Sequence, residues 1–328
     1  MSLLDSLLRK FRLVRRLEKR VGELEGDKAD LRREVGALQG DNARLRNEAE
    51  ETGLAFPPGH FYSPLPSRAE VAEVFARGSF GPPFAGVNLN EKGQVALLHQ
   101  LAEFYADQPF PEQPVAGRRY HLDNPSYGYF DGIMLHAMLR HTQARRVIEV
   151  GSGFSSAAML DLNEFVFGGR MALTFIDPDM SRLRKLLKPD DHARVTLIER
   201  KVQEVPTAVF AELEAGDVLF IDSSHVSKLG SDVNRLFFDV LPVLKPGVYV
   251  HIHDVTGNLE CPRDWFEQGR AWNEQYLLRA FLMYNRAWRV ELFTSWLYNM
   301  ETAFLRERMP LCAGGGGGQI WLRREAVE

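Results

Sequence analysis

Two cysteines, Cys261 and Cys312, are all that this chain of 328 residues holds. They share no metal-type spacing with each other or with histidine, which argues against a disulfide scaffold or a thiolate metal site. Such sparse cysteine fits a reducing, cytoplasmic setting. Also lacking is any apolar run approaching the roughly 18 residues that a membrane-spanning helix needs. The opening residues have neither the apolar stretch nor the small-residue cleavage site of a signal peptide. Charge of one sign is scarce as well: the net charge of −4 gives no general attraction to nucleic acid. What remains is ordinary for a globular protein, with 45% hydrophobic and 26% charged residues. The length allows one large domain with an appendage, or two modest ones.

The first fifty residues follow a seven-residue rhythm. Leu17, Leu24, Leu31, Leu38 and Leu45 mark one seam position, and Val14, Val21, Lys28, Val35, Asn42 and Ala49 mark the other. Leu at d with mainly Val at a favours two parallel helices, and an Asn at a fixes their register. A coiled coil over residues 1–52 is therefore expected, pairing with a second copy or with another protein. The alternative is a single amphipathic helix lying on the body. Glycines at 22, 26, 36 and 40 weaken the helix and suggest that it needs pairing. A basic cluster (Arg9, Lys10, Arg12, Arg15, Arg16, Lys19, Arg20) reads as a solvated face rather than a contact with an anionic membrane surface. Ala55-Phe56-Pro57-Pro58-Gly59 ends the helix.

Beyond it, helical segments at Glu70–Arg77, Lys92–Ala106 and Tyr129–Arg140 precede strand candidates separated by helices. The strands fall at Arg146–Val150, Ala172–Ile176, Val195–Ile198, Asp217–Ile221 and Val248–His253, the alternation of a parallel α/β sheet. A helix at Asn273–Tyr284 and two late strands, Trp288–Phe293 and Gln319–Arg323, complete the pattern. The five glycines Gly314–Gly318 read as a flexible loop leading into an edge strand.

In such sheets ligands bind at the carboxyl ends of the strands. The first strand ends in Glu149-Val150-Gly151-Ser152-Gly153-Phe154-Ser155-Ser156. A dinucleotide turn wants a third glycine where Ser156 stands, and Glu149 would repel a pyrophosphate but suits a cation. S-adenosylmethionine carries a sulfonium and an ammonium and no phosphate. Glu149, Gly151, Ser152, Gly153 and Ser155 are thus candidate cofactor contacts. Asp177, after the second strand, is placed to accept ribose hydroxyls or to cap the next helix. Gln203 sits where an adenine edge would lie. Strands four and five end in Asp222-Ser223-Ser224-His225 and His251-Ile252-His253-Asp254. Asp222, His253 and Asp254 are candidate ligands of one divalent cation, with Asp222 also near the cofactor. The bland alternative makes the two carboxylates helix caps and the histidines core groups, and for His251 that reading prevails. His225 is the first candidate general base and Lys228 the second.

The E-x-G-x-G turn resembles motif I of the class I S-adenosylmethionine-dependent methyltransferases. Ser231-Asp232-Val233, Leu241-Pro242-Val243-Leu244-Lys245-Pro246-Gly247, His251-Ile252-His253-Asp254, His60-Phe61-Tyr62-Ser63-Pro64, Arg263-Asp264-Trp265 and Gly269–Glu274 resemble the methyltransferase-24 group within them. That group is similar to catechol and macrolide-sugar O-methyltransferases. The resemblance implies a Rossmann-like seven-stranded sheet, mostly parallel with a reversed last strand, over residues 140–328. Residues 53–139 would form a linker and helical cap. It also implies an O-methyl acceptor, a hydroxylated small molecule or glycan, and a magnesium ion at Asp222 and Asp254. Val255 stands where the catechol pattern has Asn, and Thr256–Glu260 lacks the aromatic residues expected beside an acceptor. Tyr62, Tyr127, Trp265 and Arg270 are candidates for the acceptor side. The competing readings are an iron-dependent hydroxylase-like relative and a non-catalytic scaffold carried by the coiled coil.

Overall fold

The computed structural model describes residues 3–51, 56–78 and 81–326, and within the first helix the side chains of 14–17 and 19–40. Helix α1 spans Leu3–Glu51 and α2 spans Arg68–Arg77. Seam positions Asn42, Leu45 and Ala49 and basic residues Arg9, Lys10 and Arg12 lie outside the described side chains. Among the described residues no helix is long and apolar enough to cross a membrane.

The chain divides into two units, Met1–Glu73 and Val74–Glu328. Residues 74–139 belong to the same compact unit as the sheet. Helix α4 (Tyr129–Thr142) shows why: Phe130, Ile133, Met134, Leu135, Ala137, Met138 and Leu139 are all buried in that unit's core. A helix apolar around most of its circumference has no solvent face and must be core. Helix α3 (Glu91–Leu101) likewise buries Leu97, Leu98 and Leu101.

The second unit is built on one sheet in the order β3-β2-β1-β4-β5-β7-β6. Its strands are β1 (Arg146–Val150), β2 (Ala172–Ile176), β3 (Val195–Ile198), β4 (Val218–Ile221), β5 (Tyr249–His253), β6 (Trp288–Phe293) and β7 (Gln319–Arg324). The first five run parallel, and β7 lies antiparallel to both β5 and β6. All of β4 is buried, as expected for a strand covered on both faces. One expectation fails: β7 is internal, and β6 forms that edge. The residues Ile320-Trp321-Leu322, fully buried, suit a strand with neighbours on both sides better than an edge.

The irregular strap between Pro111 and Gly128 is fastened by a single arginine. Arg119 pairs twice with Asp191 (2.7 Å and 2.5 Å), and also with Asp161 (2.8 Å) and Glu164 (2.8 Å). The backbone amides of Arg119 and Tyr120 donate to Asp161, which lies on α5 (Phe154–Phe165). Tyr120 in turn donates its hydroxyl to the carbonyl of Tyr127 (2.6 Å). The strap thereby sets Tyr127 against the carboxyl end of β5, its ring 5.1 Å from that of His253.

Candidate functional site

Strands β1 and β4 meet at a glycine. Gly151 adopts φ +87, and a Cβ there would fall 1.9 Å from the carbonyl oxygen of Asp222. The amide of Asp222 donates to the carbonyl of Val150 (2.8 Å), which draws the two strand ends together. Only glycine combines that left-handed conformation with so close an approach. Gly151→Ala is expected to lose about 2 kcal/mol or more from strain and overpacking. Thermal denaturation checks it, and a wild-type midpoint would show that the turn relaxes freely.

Glu149 is fully buried, and the hydroxyls of Ser155 and Ser156 donate to its carboxylate. Burial, reinforced by the nearby charges of Asp222 and Asp177 and opposed by the two serines, pushes its pKa up to about 8. This carboxyl is thus enclosed at the first turn of α5 and anchors the glycine turn. Its oxygens are turned to those two hydroxyls. The Ser156 that replaces a third glycine serves the same anchor, because its hydroxyl also accepts from the Gly153 amide (3.0 Å).

Asp177 closes the turn from the other side. Its carboxylate accepts from the amides of Ser152 (2.7 Å) and Asp179 (2.8 Å). An ionised carboxylate has about four acceptor positions, so both oxygens keep capacity for a ligand hydroxyl. The Ser152 hydroxyl is buried without a partner. Gln203 is half-buried, and its amide donates to the carbonyl of Gly230 (2.8 Å), linking the loops after β3 and β4.

The ends of β4 and β5 bring three groups together. Ligand atoms of Asp222, His225 and Asp254 all lie within 4.8 Å of one another. His225 Nε2 stands 3.4 Å from Asp222 and 3.4 Å from Asp254. Its other nitrogen, Nδ1, lies 2.8 Å from Glu274, which also accepts from the Ser223 hydroxyl (2.9 Å). A buried carboxylate on the far ring nitrogen is what orients a ligating imidazole. Two carboxylates and one imidazole form a donor set suited to a divalent cation. Both His225 (φ 59) and Asp254 (φ 56) adopt left-handed backbone, an uncommon conformation for residues other than glycine. Strain of this kind concentrates at functional sites.

His225 therefore takes the third position of the cluster expected for His253. Strand β5 turns His251 and His253 to one face, their rings 6.0 Å apart beneath Tyr127. His253 lies behind the cluster, with nitrogens 3.7 Å from Asp131, Asp222 and Asp254 and no hydrogen bond at either. Burial opposes its charge, but Asp131 and Asp222 outweigh burial and hold its pKa well above the usual range. His251 is stacked on Phe220 at 3.7 Å, and burial holds its imidazole neutral.

His225, the first candidate general base, is enclosed by carboxylates on both sides of its ring. Burial would lower its pKa, but the hydrogen bonds to Asp222 and Glu274 outweigh that and raise it to about 10. Asp222, despite burial, is held far below the usual carboxylate range by His225 and His253. Both ring nitrogens of His225 face carboxylates. Lys228 is exposed on the same loop, with its amide donating to Ser231 (3.2 Å).

Three contributors escaped the sequence reading of the site. Asp131 stands in the first turn of α4 and accepts from the Gly318 amide (2.9 Å). Glu274 opens the helix Glu274–Leu282, where an acidic residue is unremarkable by sequence. Trp272 packs its ring 4.3 Å from that of His225, with Trp265 4.8 Å beyond it. These tryptophans place aromatic rings beside the cluster. Tyr127 is enclosed with its hydroxyl unpartnered. Tyr62 belongs to the first unit, where it clusters with Phe56, His60 and Phe61.

The family model described as a methyltransferase domain matches residues 148–255, from β1 through the residue after Asp254. An uncharacterized protein of Archaeoglobus fulgidus is 29% identical over 177 residues, covering 50% of this chain and 76% of its own length. Among solved structures, the O-methyltransferase TomG from Streptomyces achromogenes, in complex with S-adenosylmethionine, is 15% identical with a TM-score of 0.40. That likeness covers 78% of this chain and 96% of the other. The methyltransferase PaMTH1 of Podospora anserina, bound to S-adenosylhomocysteine, is 16% identical over 80% of this chain and 98% of its own, at a TM-score of 0.38. CmcI with Mg and S-adenosylmethionine is 18% identical over 68% and 84%, also at 0.38. The family match falls on the glycine turn and both carboxylate-tipped strands, within a seven-stranded sheet whose β7 runs reversed. Over residues 148–255 the chain is thus similar to a methyltransferase domain.

Proposed function

We propose that this protein transfers the methyl group of S-adenosylmethionine to a hydroxyl of a sugar, glycan or secondary metabolite, with a divalent cation held by Asp222, His225 and Asp254. The observation that carries this reading is the convergence of those three side chains beside the glycine turn, because Asp222 belongs to both. A divalent ion held by these three side chains would supply Lewis-acid chemistry to an acceptor hydroxyl. The chain's own residues do the rest. Glu274 fixes the His225 ring so that Nε2 faces the two aspartates. Asp177 and the buried Ser152 hydroxyl receive the ribose side of the cofactor. Trp272, with Arg270 5.2 Å over its ring, borders the acceptor. Of the two groups first considered as base, Lys228 is the one left with a free side chain. One histidine with two carboxylates departs from the two-histidine, one-carboxylate set of iron oxygenases, so the hydroxylase reading gains nothing.

The test is turnover with labelled S-adenosylmethionine and a panel of hydroxylated sugars and glycans, with and without EDTA. Methyl transfer is expected to stop in EDTA and to return with excess magnesium. Undiminished turnover in EDTA would remove the ion and leave methyl transfer standing. Absence of S-adenosylmethionine binding by calorimetry would remove the whole reading.

A further inference from the structure

Helix α1 displays its seam to solvent. Val14, Leu17, Val21, Leu24, Leu31, Val35 and Leu38 are each between 51% and 61% exposed. A stripe of seven apolar residues at strict a and d spacing is a surface that another helix covers. The flanking charges say which helix. With Val21 at a and Leu24 at d, the g positions are Arg20, Asp27 and Glu34, and the e positions are Glu25, Arg32 and Gln39. In a parallel, in-register pair each g residue faces the e residue five places on in the other strand. Arg20 then meets a second copy's Glu25, and Asp27 meets its Arg32. Glu34 meets Gln39, so none of the three contacts is repulsive. Beyond the described side chains the sequence continues the pattern with Asp41 and Arg46.

The polar interruption fits the same arrangement. Lys28, at a, lies next to the position that a second copy's Asp27 occupies, so its ammonium leaves the seam toward a carboxylate. All four helix glycines, at 22, 26, 36 and 40, fall at b and f, on the side away from the seam. They lower the stability of the lone helix and leave the paired face intact. Val at a with Leu at d selects two strands over three.

We infer that α1 is a homodimerisation helix, pairing parallel and in register with α1 of a second copy of this chain. The charge pattern is self-complementary, so the occupant is the chain itself.

The experiment uses the full chain. Sedimentation equilibrium is expected to give a dimer of the 37.3 kDa chain at micromolar concentration. An acidic variant (Arg20→Glu with Arg32→Glu) places like charges at both g–e contacts. A basic variant (Glu25→Lys with Asp27→Lys) does the same with the opposite sign. Each alone is expected to dissociate at least about tenfold more readily, because like charges face across the pair. An equimolar mixture is expected to recover wild-type affinity as a heterodimer. Orientation is read from Val14→Cys, which a short bis-maleimide should join copy to copy, since Cys261 and Cys312 are buried. A monomeric wild type would overturn the proposal, as would self-association of both variants at wild-type strength. Cross-linking of Val14→Cys to Leu38→Cys in place of Val14→Cys to itself would overturn the parallel register.

Discussion

Asp254→Asn is expected to lower turnover roughly a hundredfold to a thousandfold, the rate equivalent of the several kcal/mol that a metal-held transition state gains. The substitution removes one of the two carboxylate charges facing His225 Nε2 and changes almost nothing in shape. It is also tolerant of the backbone, because asparagine accepts the left-handed φ of 56 as readily as aspartate does. Loss of activity would therefore not be a folding defect. Manganese binding by calorimetry should weaken in step with turnover, while S-adenosylmethionine affinity stays within a few fold. An Asp254→Asn protein with full turnover and unchanged manganese binding would take Asp254 out of the ligand set.

Arg119→Met is expected to cost about 3–5 kcal/mol of stability, the range seen when one member of a buried ion pair is removed. The guanidinium is 2% exposed, and Asp161 and Asp191 beside it are 0% and 2% exposed. Methionine fills much of the volume but leaves two buried carboxylates with a missing partner. Their desolvation then goes uncompensated. The pH dependence carries a sign. Burial raises the pKa of Asp191, but Arg119 and Lys188 outweigh it and hold the group below its ordinary value. Its stabilising contribution is therefore complete above about pH 4 and is lost as pH falls through the folded value. In Arg119→Met burial acts unopposed by the guanidinium, so protonation relieves the cost. The gap between the two proteins should be widest at neutral pH and narrow toward pH 4, measured by urea denaturation at both. A gap that widened on acidification would contradict this account.

The body of the fold was legible because each strand is short, apolar and bounded by helix signals. The seven strand candidates match the observed ones to within one residue at each end. Sheet order beyond β5 was less accessible. The segment Gln319–Arg324 was expected at an edge because five glycines precede it, whereas tertiary packing places it inside. At the site, Asp222 and Asp254 were visible because a strand ending in a carboxylate is a local pattern. The choice between His225 and His253 was not local. It depends on a positive φ at residue 225 and on which face of β5 looks toward Tyr127. Glu274 and Asp131 were hidden for the same reason, since each reaches the rim from an element remote in sequence.

The reversed strand β7 makes the rim a late product of the chain. The Val255 amide donates to the carbonyl of Gly318 (2.9 Å), and the Gly318 amide donates to Asp131, so the residues flanking β7 clamp the loop that bears Asp254. A side chain at the neighbouring Gly317, whose φ is +63, would meet the Asp131 carboxylate at 2.7 Å. Until those residues have left the ribosome and paired, β5 is an open edge whose ladder groups lack their second neighbour. A nascent chain that has already emerged past residue 255 therefore holds the whole family signature but not a closed site. Folding must bring together segments that stand 187 residues apart, and long-range closure of this kind is slow. The stretch most readily recognised in the sequence and the stretch that can act as a unit are not the same.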